Sequence, residues 1–149
     1  AATAAQAQQE EELSAVAPET GIGDLQADSA KYGLKTLYFG YDLWKVKDLK
    51  PDQRRALENN LAIVKSLADK GYKIAIQGHA CDSGGDTDYN MALSHKRADI
   101  VADYFKTHGV EAAFNVMGYG SEHKIVPSGD REQQAPNRRV EIYAYPPAA

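Results

Sequence analysis

The chain has 149 residues, one cysteine and a formal charge of -4 at pH 7. That length allows one domain with a real core. The lone cysteine excludes an internal disulfide framework and a multi-thiolate metal site. The acid excess, with no basic cluster or aromatic-interleaved basic stripe, argues against nucleic acid as partner. No run approaches the ~20 apolar residues of a membrane span.

Residues 1–30 are rich in Ala, Gln and Glu, and Pro18 and Gly21-Ile22-Gly23 interrupt them. EEELSAVA is too short for a helix that stands alone. The segment reads as a flexible N-terminal tail or linker, followed by a folded domain over residues 31–149. Its opening AATAAQAQQEEELS carries neither a charged-then-apolar signal nor a lipidation motif. A cytosolic protein and a processed product both fit that start.

Lys35-Thr36-Leu37-Tyr38-Phe39 is β-prone and ends at Gly40 and Asp42. Pro51 suits a first helical position, and Gly71 a left-handed C-terminal cap. Between them Leu57, Leu61, Val64 and Ala68 repeat at i, i+4, i+7 and i+11, which predicts one apolar helical stripe. Tyr72 to Gly78 alternates, with Tyr72, Ile74 and Ile76 on one face of a second strand. Tyr89 to about His108 is a second helix, capped by Asp86 or Asp88 and closed by Gly109, with Ala98, Val101 and Phe105 as its stripe. Ala113 to Met117 is a third strand running into Gly118-Tyr119-Gly120. Residues 121–136 are a polar loop, and Arg139 to Tyr145 a last alternating strand. The order β-α-β-α-β-β predicts a two-layer α/β sandwich with parallel crossovers. Its last two strands have no helix between them, so an antiparallel pair is expected there.

The junction Gly78-His79-Ala80-Cys81-Asp82-Ser83-Gly84-Gly85 holds the densest chemistry. The acids Asp82, Asp86 and Asp88 fail the calcium-loop pattern, because its positions 3, 6 and 12 fall on Gly84, Thr87 and Leu93. They fit the positive end of a helix dipole better. The four histidines are scattered singly, so a metal site lacks ligands. A Cys81 nucleophile with His79 as base lacks an orienting group and an oxyanion hole. No phosphate-cradling signature follows the strand. Asn90, Ser94 and Arg97 share one face of the second helix, and Asp82 leads into it. An aspartate for an ammonium and an arginine for a carboxylate suit a zwitterionic ligand. A structural Asp82–Arg97 ion pair on the surface fits the same residues.

The run GHACDSGGDTDYNMALSHKRA resembles the signature of the OmpA-like C-terminal domain, roughly GHTDxxGxxxYNxxLSxxRA. Asn137-Arg138-Arg139-Val140-Glu141-Ile142 is similar to that family's NRRVEI motif, Gly118-Tyr119-Gly120 to its GYG turn, and Tyr38-Phe39-Gly40-Tyr41-Asp42 to its F-D-F-D strand. The likeness covers about residues 35–145. It implies the same β-α-β-α-β-β fold and a non-catalytic domain that grips the peptidoglycan stem peptide through diaminopimelate. Carried over residue by residue, Asp82 and Arg97 would hold the ligand's ammonium and carboxylate, and Asn90 would shape the site. Tyr41 and Asp42 would border it, and Arg138 would approach through NRR. Ser94 belongs to the LS pair, where a helix hydrogen bond is an equal expectation.

Two departures stand out. Gly40 replaces the first acid of F-D-F-D, and Ala80-Cys81 separate His79 from Asp82 where the family has one residue. Register from Asp82 onward assigns the extra residue to a bulge beside Cys81. The other alignment puts Cys81 in the aspartate's place and removes the ammonium contact. The resemblance implies a periplasmic, outer-membrane-associated protein of the peptidoglycan-associated lipoprotein type. Its partners would be peptidoglycan and Tol-Pal-type envelope proteins, with no cofactor, no metal, and any membrane anchor outside this chain. The competing expectation is an envelope protein–protein scaffold that keeps the fold without binding peptidoglycan.

Overall fold

The structure, a computed structural model, describes residues 32–82 and 86–147. The tail expected over residues 1–30 lies outside the described residues. Four strands and two helices follow in the expected order: β1 (Leu37–Tyr38), α1 (Pro51–Asp69), β2 (Lys73–Gly78), α2 (Thr87–Thr107), β3 (Phe114–Gly118) and β4 (Arg139–Tyr145). Short 3-10 turns at Val46–Asp48 and Ala135–Asn137 precede α1 and β4. Among the described residues no helix is long and apolar enough to cross a membrane.

Local signals account for the helix ends. Pro51 opens α1, where its missing N–H costs nothing. Gly71 and Gly109 take φ of 86° and 90° just past the helices. Each lets the following N–H reach back, Tyr72 to the Leu67 carbonyl and Val110 to the Phe105 carbonyl. That is the Schellman closure, and glycine adopts it without a Cβ penalty. Asp86 caps α2, its carboxylate accepting the Tyr89 N–H at 2.7 Å.

The sheet order is β1-β4-β2-β3, which corrects the expected pairing of the last two strands. β2 and β3 are parallel, as the α2 crossover requires, with Gly78 opposite Gly118. β4 runs antiparallel to both β2 and β1, and does not pair with β3. The physical reason lies in β4 itself, which is buried at all seven residues. Such a strand needs partners on both edges, and the β1-α1-β2 crossover leaves a one-strand gap for it. The loop over residues 119–138 is long enough to reach that gap.

The core lies between the helices and one sheet face. Leu57, Val64, Val101 and Phe105 meet Ile74, Ile76, Val140 and Ile142 there. Ala98, Val101 and Phe105 are fully buried, as the periodicity predicts. On α1 the stripe is rotated slightly: Leu57 and Val64 are buried with Leu67, whereas Leu61 and Ala68 are only partly so. The α1 stripe also holds Asn60, fully buried. Its amide accepts the Lys35 N–H at 2.9 Å and donates to the Lys35 carbonyl at 2.8 Å. This bidentate bond replaces a strand ladder ahead of β1.

Candidate functional site

Two glycines bring α2 onto the strand ends. A Cβ on Gly78 would lie 1.9 Å from the Ser94 carbonyl oxygen, and one on Gly118 would lie 2.5 Å from the His95 nitrogen. The helix backbone therefore rests directly on β2 and β3. Ser94, fully buried, fixes that seat: its hydroxyl donates to the Met91 carbonyl and accepts the Gly120 N–H, both at 2.8 Å. Ser94 thus ties the GYG turn to the helix.

One turn further along α2, Arg97 has no exposed surface. Its Nε donates to the Leu43 carbonyl at 2.8 Å, Nη1 to the His79 carbonyl at 3.0 Å and Nη2 to the Gly40 carbonyl at 3.2 Å. These bonds use three of the five guanidinium N–H groups. The Phe39 ring lies 5.5 Å from the guanidinium carbon. Burial pushes the arginine down to about 10, so it is still cationic at neutral pH. The expected polar face of α2 is therefore an interior face: Asn90, Ser94 and Arg97 are all buried.

Tyr41, Asp42, Cys81, Tyr89, Asn90, Leu93 and Arg97 line one small cavity of about 10 Å³. Asp42 takes a left-handed φ of 58°, which aspartate tolerates better than most residues. Its carboxylate accepts the hydroxyl of Tyr89, a second lining residue. The Cys81 thiol is buried, 3.9 Å from Arg138 Nη1. Arg138 holds the Phe39 carbonyl through Nε at 3.1 Å and the Arg131 carbonyl through Nη1 at 2.7 Å. It buttresses the wall behind the cavity rather than lining it.

Asp82 stands apart from this group. Its carboxylate pairs with Lys124, its N–H donates to Gln134 Oε1 at 3.0 Å, and it is absent from the cavity wall. The Lys124 hydrogen bond is the main reason its pKa is lowered. The surface Asp82–Arg97 pair considered from the sequence does not form. The ladder explains this placement. His79 N–H bonds the Arg139 carbonyl and Ala80 N–H the Gly120 carbonyl, each at 2.8 Å, so the chain stays extended past Gly78. Cys81 then falls at the strand end beside Arg97, and Asp82 one residue later, outside. Residues 83–85 lie outside the described residues. The extra residue between His79 and Asp82 was the sequence signal for this shift. Tyr89 and Lys124 had no such signal, since each acts on a residue more than 40 positions away.

Behind the cavity a second polar group is buried. His79 Nε2 lies 3.3 Å from Glu141 Oε1, Arg139 Nε lies 3.1 Å from Glu141 Oε2, and the Tyr143 hydroxyl donates to Oε1 at 2.7 Å. The His79 ring also stacks on Tyr119 at 5.6 Å. Burial alone would raise the Glu141 pKa, but the His79 and Tyr143 hydrogen bonds and the Arg139 charge hold it at about 2. Burial lowers His79.

The signs of the two shifts agree. A histidine kept neutral by the fold loses stability as pH falls below its ordinary 6.5, because the unfolded chain binds the proton first. Glu141 contributes stability above its ordinary 4.5 and loses it as pH falls toward about 2. Urea midpoints are expected to decline below pH 6.5 and more steeply below 4.5. In Glu141→Gln the steeper acid limb is expected to shrink; an unchanged limb would show that other carboxylates cause it.

The profile of the OmpA family matches residues 46–138. Among curated relatives, the peptidoglycan-associated lipoprotein of Pseudomonas aeruginosa is 36% identical over 121 residues, 80% of this chain and 68% of the relative. The outer-membrane lipoprotein YfiB of the same organism is 33% identical over 130 residues, 86% of this chain and 73% of the relative. Among solved structures, the peptidoglycan-associated lipoprotein from Burkholderia pseudomallei superposes with a TM-score of 0.64 at 26% identity, covering 74% of this chain and 90% of that one. The C-terminal domain of Helicobacter pylori MotB shares the fold, with a TM-score of 0.62 at 24% identity over 78% of this chain and 88% of that one. With its α/β order, its glycine-seated helix and these matches, the chain belongs to the OmpA family.

Proposed function

We propose that this domain binds the peptidoglycan stem peptide through diaminopimelate, without catalysing a reaction, and so anchors an envelope component to the cell wall. The observation that carries the reading is the shared cavity of Arg97 and Asp42, a buried cation and an acid from two distant segments. Arg97 has two N–H groups beyond its three backbone bonds, enough for a bidentate carboxylate. Asp42 takes the ligand ammonium, the role that the sequence pattern assigns to Asp82. Asn90 and Tyr41 shape the remaining wall, and Arg138 and Ser94 support it from behind. Asp82, paired with Lys124, stays outside the cavity wall.

Relatives named peptidoglycan-associated lipoprotein support the ligand class, and with it a periplasmic, outer-membrane-associated location and Tol-Pal-type protein partners. A domain over residues 31–149 behind a tethering tail suits such an anchor. The non-enzymatic reading is supported by the setting of Cys81: its thiol lies 3.9 Å from Arg138 Nη1, and the His79 ring is engaged by Glu141 and Tyr119.

The test is calorimetry with meso-diaminopimelate and co-sedimentation with purified sacculi. Asp42→Asn keeps the left-handed backbone but removes the charge, and is expected to weaken binding on the order of tenfold. Asp82→Ala is expected to weaken it less than about threefold, as befits an exposed pair. Equal binding by Asp42→Asn and the parent would refute the assignment. A parent that binds neither probe would favour the protein–protein scaffold instead.

A further inference from the structure

Among the described residues, a side-chain contact between Tyr89 and Asp42 joins two walls of the cavity around Arg97, and it bears on what enters. At about 10 Å³ it has room for roughly one water molecule, against ~300 Å³ or more for a small-molecule site. Its walls differ in freedom. Cys81, Asn90, Leu93 and Arg97 are buried, whereas Tyr89 is 48% exposed. The Tyr89 hydroxyl reaches across to the Asp42 carboxylate and joins the first turn of α2 to the loop after β1. The Tyr89 backbone is held by the Asp86 cap on its N–H, and Asp42 takes a left-handed φ of 58°.

We infer that the Tyr89–Asp42 hydrogen bond is a latch over the Arg97 cavity, and that an incoming ammonium opens it by displacing the Tyr89 hydroxyl from Asp42. The Asp42 carboxylate makes the bond from the neutral phenol charge-assisted on one side only, and an ammonium adds the attraction of a second, opposite charge. A cationic group therefore displaces the phenol, and a neutral hydroxyl or amide gains little by doing so. Tyr89 thus selects for a ligand with a cation next to its carboxylate. The inference deepens the diaminopimelate reading and rests on it for the identity of the ligand, but the latch itself is testable without any ligand.

Cys81 supplies the reporter, being the chain's sole cysteine and a wall of the same cavity. Alkylation by iodoacetamide under native conditions reads how often the cavity opens. Tyr89→Phe is expected to speed alkylation roughly two- to tenfold, the equivalent of one hydrogen bond. Asp42→Gly removes the acceptor at a backbone angle glycine accepts, and is expected to speed it similarly. The double variant is expected to be no faster than either single one, because both break one bond. An unchanged rate in Tyr89→Phe, or additive acceleration in the double variant, would overturn the latch. Calorimetry with meso-diaminopimelate on Tyr89→Phe separates the two ideas. Tighter binding than the parent, by a similar factor, supports both. Faster alkylation with no diaminopimelate binding in either protein keeps the latch and removes the ligand reading.

Discussion

Gly78→Ala is expected to destabilise the domain by about 3 kcal/mol or more, enough to leave a marginal fold largely unfolded. The added methyl would sit 1.9 Å from the Ser94 carbonyl oxygen and 3.2 Å from the Ala98 Cβ. The first of these neighbours is helix backbone, which cannot swing aside as a side-chain tip can. To make room, α2 must lift from β2 and loosen the seat shared with Gly118, where the His95 backbone is also in the way. The loss falls on the site as well, because Ser94 and Arg97 both ride on that part of α2. Urea unfolding followed by circular dichroism measures the effect. A midpoint close to the parent's would mean that the helix is not seated on the strand ends.

Arg97→Ala is expected to abolish binding and to weaken the fold. Removing the guanidinium leaves the carbonyls of Gly40, Leu43 and His79 without the donor that joins them. The Gly40 carbonyl keeps the Leu43 N–H at 3.1 Å, and the fully buried bond is the one to His79. A loss of about 1–3 kcal/mol is therefore expected, the cost of one unsatisfied buried acceptor. Loss of a desolvated charge partner adds about 2–5 kcal/mol to the binding deficit. The arginine thus links three segments: the loop after β1, the end of β2 and α2. Arg97→Lys keeps the charge but not the planar fork, so it is expected to restore less than half of the lost stability. Sacculus co-sedimentation at a temperature where the variant is folded separates the two effects. Binding by folded Arg97→Ala equal to the parent's would remove Arg97 from the site.

Much of this was legible from local pattern. The helical stripe of Ala98, Val101 and Phe105 and the alternation of Ile74 and Ile76 report burial of one face, and the core uses those residues. Pro51, Gly71 and Gly109 mark helix ends because backbone sterics act within a few residues. The same locality set the limits. β4 alternates in sequence yet is buried on both faces, and nothing within seven residues shows that it lies between β1 and β2. Asn60 reads as a polar interruption of α1 until Lys35 is placed against it.

At the candidate site the division is sharper. GHACDSGG and LSHKRA by themselves determined that a strand end and a helix face would meet, with an arginine on that face. Spacing from Asp82 onward points to Asp82 beside Arg97, with the extra residue in a bulge. In the structure the chain stays extended instead, and the strand end shifts by one residue. The tertiary ladder decided it: the bonds of His79 and Ala80 keep the chain extended and deliver Cys81 to the cavity, while Lys124 draws Asp82 outward. Asp42 and Tyr89 meet across 47 positions, a contact that only the folding of the loop after β1 onto α2 creates. Short-range sterics and burial periodicity act along the chain, whereas the partner of a buried charge is chosen by whatever the packed chain brings within hydrogen-bond reach.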